Sequence, residues 1–320
     1  FCGRRARRPI AADLVEVVQH INSCVTYFYD DPANCMGWDS GEGGWQGTTY
    51  DTYDLMDELD IGLPQDNDGE LRETITQSLG EQEWCQRDPY GSPEDEALAY
   101  SWWKFCEYIK HERRFFFSAP ISKRSGERYS HPFDEPLLNP SEMLPGLAEF
   151  CLKFGLVRAL PKGTKLVRVR KQRDGKKWKN PSDLGPPPED KATQSNRMSP
   201  PGVPILYACA DVETAICETT VEGGIFAVGK FALKKDIYVL DLTKIQQIPS
   251  MFDQEKLQQR AKIKFLHQFA KETSKPIARD DRVHIEYVPT QVVTEYFRHC
   301  VAYKEQPILG VLYRSSKRRG

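Results

Sequence analysis

The sequence predicts an α+β protein in which a helical first half precedes a small mixed sheet flanked by helices. Apolar residues recur at helical spacing in the first half, and runs typical of strands begin only after a break at 161–165. The first 100 residues carry 21 Asp or Glu against 6 Lys or Arg, whereas the remainder carries 25 against 38. We therefore predict two domains, residues 1–157 and 158–320.

Helical spacing is the main signal in the first half. In its first segment Val17, Ile21 and Val25 recur at four-residue intervals, and Asp13 is a good helix start. Nothing in this half alternates like a strand, so we expect it to be all-helical. The predicted helices are 9–28, 51–60, 69–86, 94–117 and 142–154.

Strand patterns dominate the second half. Residues 166–170, LVRVR, alternate with period two and predict a strand, which is followed by a long proline-rich loop over 171–200. Asp211 is a good N-cap for a helix starting at Val212. The two apolar runs IFAVGKFAL and IYVLDLT, separated by KKD, predict a hairpin. The remaining predicted elements are a strand at 203–209, a helix at 254–272, a helix opened by Pro289 and Thr290, and a strand at 308–313.

Composition excludes several classes. The sequence contains no run of about 18 apolar residues, so no membrane span is predicted. Nine scattered cysteines without a CxxC pair indicate reduced thiols, so we expect a cytoplasmic protein. The start, FCGRRARRPI, lacks the apolar core of a signal peptide, and we expect the segment to be trimmed at one or both ends. The six histidines do not stand at metal-ligand spacing, so no metal site is predicted.

The opposite charges of the two halves allow two interpretations. The basic half could serve a phosphate-bearing ligand, or the two domains could simply dock on each other. The acidic half argues against nucleic-acid binding there.

No local catalytic motif explains the chain, since GxGxxG, GxxxxGK[ST], HExxH and GxSxG are absent. What remains is a set of charged and hydroxyl side chains at the ends of predicted elements. They are Arg168, Arg170, Arg197, Tyr207, Glu218, Ser315 and Ser316.

Each of these residues also has an ordinary structural interpretation. Arg168 and Arg170 share one face of a strand and suit a phosphate, but they could belong to a solvated edge strand. Tyr207 could stack on a ligand or fill the core. Glu218 could face solvent, and the serines could be plain turn residues.

Taken together, these residues resemble the RES domain family. The matching blocks are GTKLVRVR, GPPPEDKATQSNRMSPPGVPILYACADVETAICE, EYVPTQVVTEYFR and GVLYRSS. They occur in the family's order over roughly residues 161–316. The helical half resembles the HEPN-like module that precedes RES in some longer members.

The resemblance implies an ADP-ribosyltransferase-like fold that binds NAD and cleaves its nicotinamide–ribose bond. It implies Glu218, Arg168 and Ser315 as catalytic residues, with Arg197 and Tyr207 in the binding site. NAD would be the substrate, without a further cofactor or metal. The NAD-binding set implied is Arg168, Arg170, Arg197, Tyr207, Ser315 and Ser316.

The family resemblance also implies a biological setting. Many members are bacterial toxins that deplete NAD and are paired with an antitoxin. We therefore expect a cytoplasmic NAD glycohydrolase, a homo-oligomer that binds an antitoxin or regulatory protein through its helical domain.

Two rival functions remain open. One is transfer of ADP-ribose to a protein or nucleic acid. The other is RNA handling or partner binding by the helical domain, for which Arg124 and His131 have the spacing of the Arg-x4–6-His motif of HEPN ribonucleases.

Overall fold

A computed structural model describes residues 13–59, 70–117, 138–172, 178, 180–219, 224–277 and 281–317. Helices and strands are mixed, in agreement with the predicted α+β class. The chain forms two compact units. The first contains the described residues within 1–96 and 247–262, and the second contains those within 97–246 and 263–320.

Aspartates start the helices of the first unit. Asp13, Asp31 and Asp51 each accept a hydrogen bond from a backbone N–H of the following turn, at 2.8, 2.8 and 2.7 Å. Apolar residues of the first, third and fourth helices form the core of this unit with Trp84. The helices are α1 (Leu14–Phe28), α2 (Pro32–Cys35), α3 (Thr52–Glu58) and α4 (Glu70–Leu79).

The first unit also contains strands, so the prediction of an all-helical first half is wrong. β5 pairs with β1 on one side and β4 on the other, and β2 pairs with β3. Most of these strands have two residues, too few for alternation to be visible in a sequence. The predicted helix 69–86 ends early because Gly80, at φ 85°, leaves the helical conformation. The strands are β1 (Tyr29–Asp30), β2 (Trp38–Asp39), β3 (Gly44–Trp45), β4 (Tyr50–Asp51) and β5 (Glu83–Gln86).

Most helices of the second unit pack around one apolar core. Leu147, Phe269 and Phe297 are fully buried there beside Leu240 and Ile308 of the sheet. The predicted helices at 142–154, 212, 254–272 and 289 are confirmed within a few residues. The helices that lie wholly or mostly within this unit are α5 (Glu94–Glu107), α6 (Met143–Lys153), α7 (Val212–Thr219), α8 (Leu257–Ser274), α9 (Val283–Glu286) and α10 (Val288–His299).

The second unit contains a mixed four-stranded sheet, ordered β10-β11-β9-β6, and a two-stranded sheet of β7 and β8. β11 runs parallel to β9, and the other neighbours are antiparallel. The strands are β6 (Val157–Leu160), β7 (Lys165–Lys171), β8 (Phe226–Ala232), β9 (Ile237–Asp241), β10 (Ala302–Tyr303) and β11 (Gln306–Leu312).

Two strand predictions in this unit are wrong. β8 and β9 do not form a hairpin, because β8 pairs with β7 while β9 pairs with β6 and β11. Residues 203–209 form no strand, and only Cys209 pairs, through a bridge to Val167. Pro204 offers no N–H donor to a strand ladder, which weakens that run as a strand.

The β6–β9 and β7–β8 pairs form one long antiparallel ribbon with a break. Leu160 pairs with Ile237 and Lys165 with Ala232, so the register is the same on both sides. The Gly163 N–H donates to the Leu233 carbonyl at 2.9 Å and keeps the two segments together at the break. The ribbon therefore links the candidate strand β7 to the buried sheet.

The segments on both sides of residue 157 pack into the same core. Leu144 and Phe154 in the α6 region and Val157 of β6 all belong to the apolar cluster of the second unit. The boundary between the two family domains at 157 stays a prediction.

Candidate active site

β7 places two arginines side by side. Val167 and Val169 on its opposite face are buried against Ala215 of α7. Arg168 Nη1 and Arg170 Nη2 both donate to the carbonyl oxygen of Gly185, at 2.8 and 3.2 Å. In the part of the chain that the structure describes, neither forms an ion pair with an acid. Two guanidinium groups that meet on one oxygen suit an anion with closely spaced oxygens.

A small residue opposite Arg168 admits the loop that carries this oxygen. Gly229 of β8 is the cross-strand partner of Arg168. A Cβ at Gly229 would lie 2.9 Å from Cδ1 of Leu184, a contact too short for real atoms. Gly229 therefore lets the buried Leu184, and Gly185 next to it, lie against the ribbon.

Arg168 is charged in unfavourable surroundings. Burial lowers its pKa to about 10, the like charge of Arg170 adds to this effect, and Tyr207 opposes it. Because this pKa is lower than in the unfolded chain, protonated Arg168 costs folding free energy at neutral pH, and stability is regained as the pH rises through about 10. A bound anion would offset this cost.

We expect inorganic pyrophosphate to raise the Tm of the protein by a few degrees, because it supplies the missing counter-charge. The measurement is thermal unfolding at fixed ionic strength, with chloride as the reference salt. The shift should vanish in an Arg168→Gln, Arg170→Gln double variant and persist in Lys165→Gln, an exposed position on the same strand. An equal shift in all three proteins would contradict an anion site at this pair.

Tyr207 is fixed through its hydroxyl. The hydroxyl oxygen accepts a hydrogen bond from the backbone N–H of Met198 at 2.9 Å and lies 3.1 Å from Oγ of Ser199. Burial raises the pKa of Tyr207, so it stays neutral at ordinary pH. The ring is therefore held in one place by residues 198–199.

Glu218 and Ser315 meet although 97 residues separate them. Ser315 Oγ donates to a carboxylate oxygen of Glu218, and the backbone N–H of Lys317 donates to Ser315 Oγ at 3.2 Å. Next to Glu218, Thr219 at the end of α7 donates through Oγ1 to the Val169 carbonyl of β7 at 3.3 Å. The last turn of α7 therefore holds Glu218 beside the arginine strand. Ser316 is exposed.

Two further side chains share this neighbourhood. Burial raises the pKa of Tyr313, and nearby Tyr207 and Glu218 raise it further. Burial also raises the pKa of the Cys209 thiol to about 11, with Glu218 as the second cause. These mutual effects place Tyr207, Tyr313, Cys209 and Glu218 within electrostatic reach of one another. Two tyrosines and one thiol, all with raised pKa values, therefore lie near the Glu218 carboxylate.

Arg197 lies in a different arrangement from the other candidates. Its Nη1 and Nη2 donate to the backbone carbonyls of Thr273 and Lys275, at 2.6 and 2.7 Å, at the end of α8. Its guanidinium also lies over the ring of Tyr287, 5.4 Å from the centroid. Two of its five N–H donors are thus used within the protein, and its charge still acts on the pKa of Tyr207 and Tyr313.

Two family models match this chain. HEPN/RES N-terminal domain 1 matches residues 1–123, and the RES domain matches residues 165–320, from the first residue of β7 onward. The chain carries a HEPN/RES N-terminal domain followed by a RES domain. This order confirms the resemblance drawn from the four sequence blocks. A search of curated proteins and a search of solved structures found no match.

The RES domain contains every candidate residue, and its presence is consistent with an NAD-related toxin function. The structure brings Glu218, Ser315, Tyr207 and the arginine pair near one another. Sequence reasoning missed the Gly185 carbonyl, Tyr313 and Cys209. The position of Tyr313 directly after the apolar run of β11 could have indicated it in the sequence. A backbone carbonyl has no sequence signal, because every residue carries one.

Other kinds of site find less support. Among the described residues, no group of three or more His, Cys, Asp or Glu side chains could hold a metal ion. Within the same residues no helix is both long and apolar enough to cross a bilayer. Arg124 and His131, the candidate ribonuclease pair, lie outside the described residues.

Proposed function

We propose that the RES domain is an NAD⁺ glycohydrolase that cleaves the nicotinamide–ribose bond. The observation that carries the proposal is the Glu218–Ser315 pair, held by α7 beside the two arginines of β7. A carboxylate suits a cationic sugar, and a convergent guanidinium pair suits the pyrophosphate of the same molecule. The family match supports NAD as the substrate.

The proposed reaction needs one water and no further cofactor. The C1′–N bond breaks, nicotinamide leaves with the electron pair as a neutral base, and the ribose becomes oxocarbenium-like. Glu218 stabilises this cation and holds a ribose hydroxyl, and water adds to C1′ and releases a proton. The products are ADP-ribose, nicotinamide and H⁺.

The other residues have supporting roles in this proposal. Arg168 and Arg170 hold the pyrophosphate, because its two negative charges would otherwise be repelled by Glu218. The ring of Tyr207 stacks on nicotinamide or its ribose, where its anchored hydroxyl keeps it in place. Ser315 orients the carboxylate and bonds to the nicotinamide ribose. Arg197, which the family resemblance implies for NAD binding, is better suited to holding its own loop against the end of α8.

The first unit offers a poor alternative site for NAD. It contains a cleft of about 420 Å³ whose lining includes Asp51, Glu81 and Glu83. Carboxylates repel a pyrophosphate, so this cleft does not suit a dinucleotide. We propose that the HEPN-like domain regulates the enzyme, through an antitoxin or by self-association of a cytoplasmic toxin.

Incubation with NAD⁺ followed by chromatography of the products tests the proposal. We expect free ADP-ribose and nicotinamide in equal amounts. ADP-ribose found on a protein or nucleic acid would instead indicate the transferase, and unchanged NAD⁺ would refute both activities.

A further inference from the structure

The loop at residues 195–199, which we call the tyrosine-anchor loop, has little regular structure of its own. Its only backbone pairing within the described residues is a bridge between Asn196 and Ser199, with hydrogen bonds of 2.9 and 3.2 Å. It nevertheless supplies both contacts of the Tyr207 hydroxyl, the Met198 N–H and Ser199 Oγ. Something outside the loop must therefore fix its shape.

The start of α10 supplies that support. Gln291 is only 7% exposed, and its Nε2 lies 2.9 Å from Oγ of Ser195, 2.8 Å from the carbonyl oxygen of Asn196 and 3.2 Å from that of Ser199. One amide nitrogen thus faces three oxygens of the loop.

Two threonines of α10 extend the contact. Oγ1 of Thr290 donates to the Arg197 carbonyl, whereas Oγ1 of Thr294, one turn later, donates to the Thr290 carbonyl at 2.7 Å and lies 3.1 Å from Sδ of Met198. Both are at most 8% exposed. Every residue from 195 to 199 is therefore held by one of three neighbouring side chains.

The group that faces the loop at position 291 must be a hydrogen-bond donor. The two loop carbonyls can only accept, and a buried acceptor without a donor costs free energy. A carboxylate of the same size would face these oxygens with its own oxygens and repel them. The amide therefore determines whether the tyrosine-anchor loop keeps its shape.

We propose that Gln291 is a positioning residue of the NAD site, which acts through the tyrosine-anchor loop on Tyr207. The proposal rests on the proposed function, because it assigns Tyr207 to the binding of NAD. Among the described residues, the hydrogen bonds of the Gln291 side chain go to the loop. Its effect reaches the substrate through the Met198 N–H and the ring that this N–H anchors.

The test is a double-mutant cycle with Gln291→Glu and Tyr207→Phe. We expect each change to lower kcat/KM for NAD by about 10- to 100-fold, because a misplaced contact loses transition-state binding. The kcat/KM of the double variant should equal that of the less active single variant, because both changes break the same connection. Effects that multiply, or an unchanged kcat/KM in Gln291→Glu, would overturn the proposal.

Two controls separate positioning from general stability. Glu295→Gln makes the reverse exchange at an exposed position of the same helix and should leave kcat/KM unchanged. If Gln291→Glu does not fold, Thr290→Val removes the hydroxyl contact at equal volume, and Thr290→Ser should restore it. Thr290→Val with unchanged kcat/KM would also overturn the proposal.

Amide hydrogen exchange at Met198 provides a readout that does not need activity. Its N–H is bonded to Tyr207, so its protection should fall in both Gln291→Glu and Tyr207→Phe. If the parent protein does not consume NAD but this loss occurs, the proposed function fails and the coupling stands. If protection is unchanged in Gln291→Glu, the coupling itself fails.

Discussion

Replacing Glu218 with Gln is expected to lower kcat for NAD cleavage by about 100- to 1,000-fold while the protein stays folded. The amide has the size of the carboxylate, and its oxygen can still accept the bond from Ser315 Oγ. It lacks the negative charge that the oxocarbenium-like ribose needs. Because the positive charge on the ribose develops only in the transition state, KM should change little. Steady-state kinetics with NAD, together with circular dichroism, measures both effects.

The control for this experiment lies on the same helix. Glu213 is exposed in the first turn of α7, and Glu213→Gln removes an equal charge from the same element. We expect parental kinetics for this variant. If Glu218→Gln consumes NAD at the parental rate, Glu218 is not catalytic. If it raises only KM, Glu218 is a binding residue and the charge argument fails.

The local sequence pattern was sufficient to predict features that lie within a single helix or strand. The alternation in LVRVR correctly predicted that Arg168 and Arg170 share a face, because a strand has a period of two residues. Asp211 and the apolar residues after it correctly placed α7. The Glu218–Ser315 contact, by contrast, joins two distant segments. Only the family resemblance linked these residues before the structure did.

Local pattern failed where pairing depends on distant partners. The KKD turn suggested a hairpin, but it carries no information about β6 and β11, the two strands that pair with β9. Asp236 in that turn instead accepts a hydrogen bond from the Lys162 N–H at 2.7 Å, across the break of the ribbon. The hydrogen-bond partners of Arg197 are backbone carbonyls, which no sequence pattern identifies, and its place in the NAD site stays a prediction. A motif therefore identifies a residue type, whereas its partners follow from the tertiary structure.

Replacing Arg158 with Met is expected to lower the free energy of unfolding by about 1–3 kcal/mol, because the Arg158 side chain is 43% exposed and solvent screens its ion pair. Asp241 of β9 is fully buried, and Arg158 of β6 forms an ion pair with its Oδ2. Methionine keeps much of the side-chain volume but leaves this carboxylate oxygen without its counter-charge. The other oxygen keeps its bonds from the N–H and Oγ1 of Thr243, at 2.9 and 2.6 Å, which limits the loss. Urea denaturation measures the change.

The cause of this loss can be tested by also removing the negative charge of Asp241, which Arg158→Met leaves without a counter-charge. Adding Asp241→Asn to Arg158→Met should recover most of the lost stability, since a neutral amide oxygen can still accept from Thr243. Arg158→Lys keeps a positive charge and should lose less than Arg158→Met. If the double variant is less stable than Arg158→Met, the loss comes from packing. The ion pair between Arg158 and Asp241 would then contribute little to holding β6 against β9.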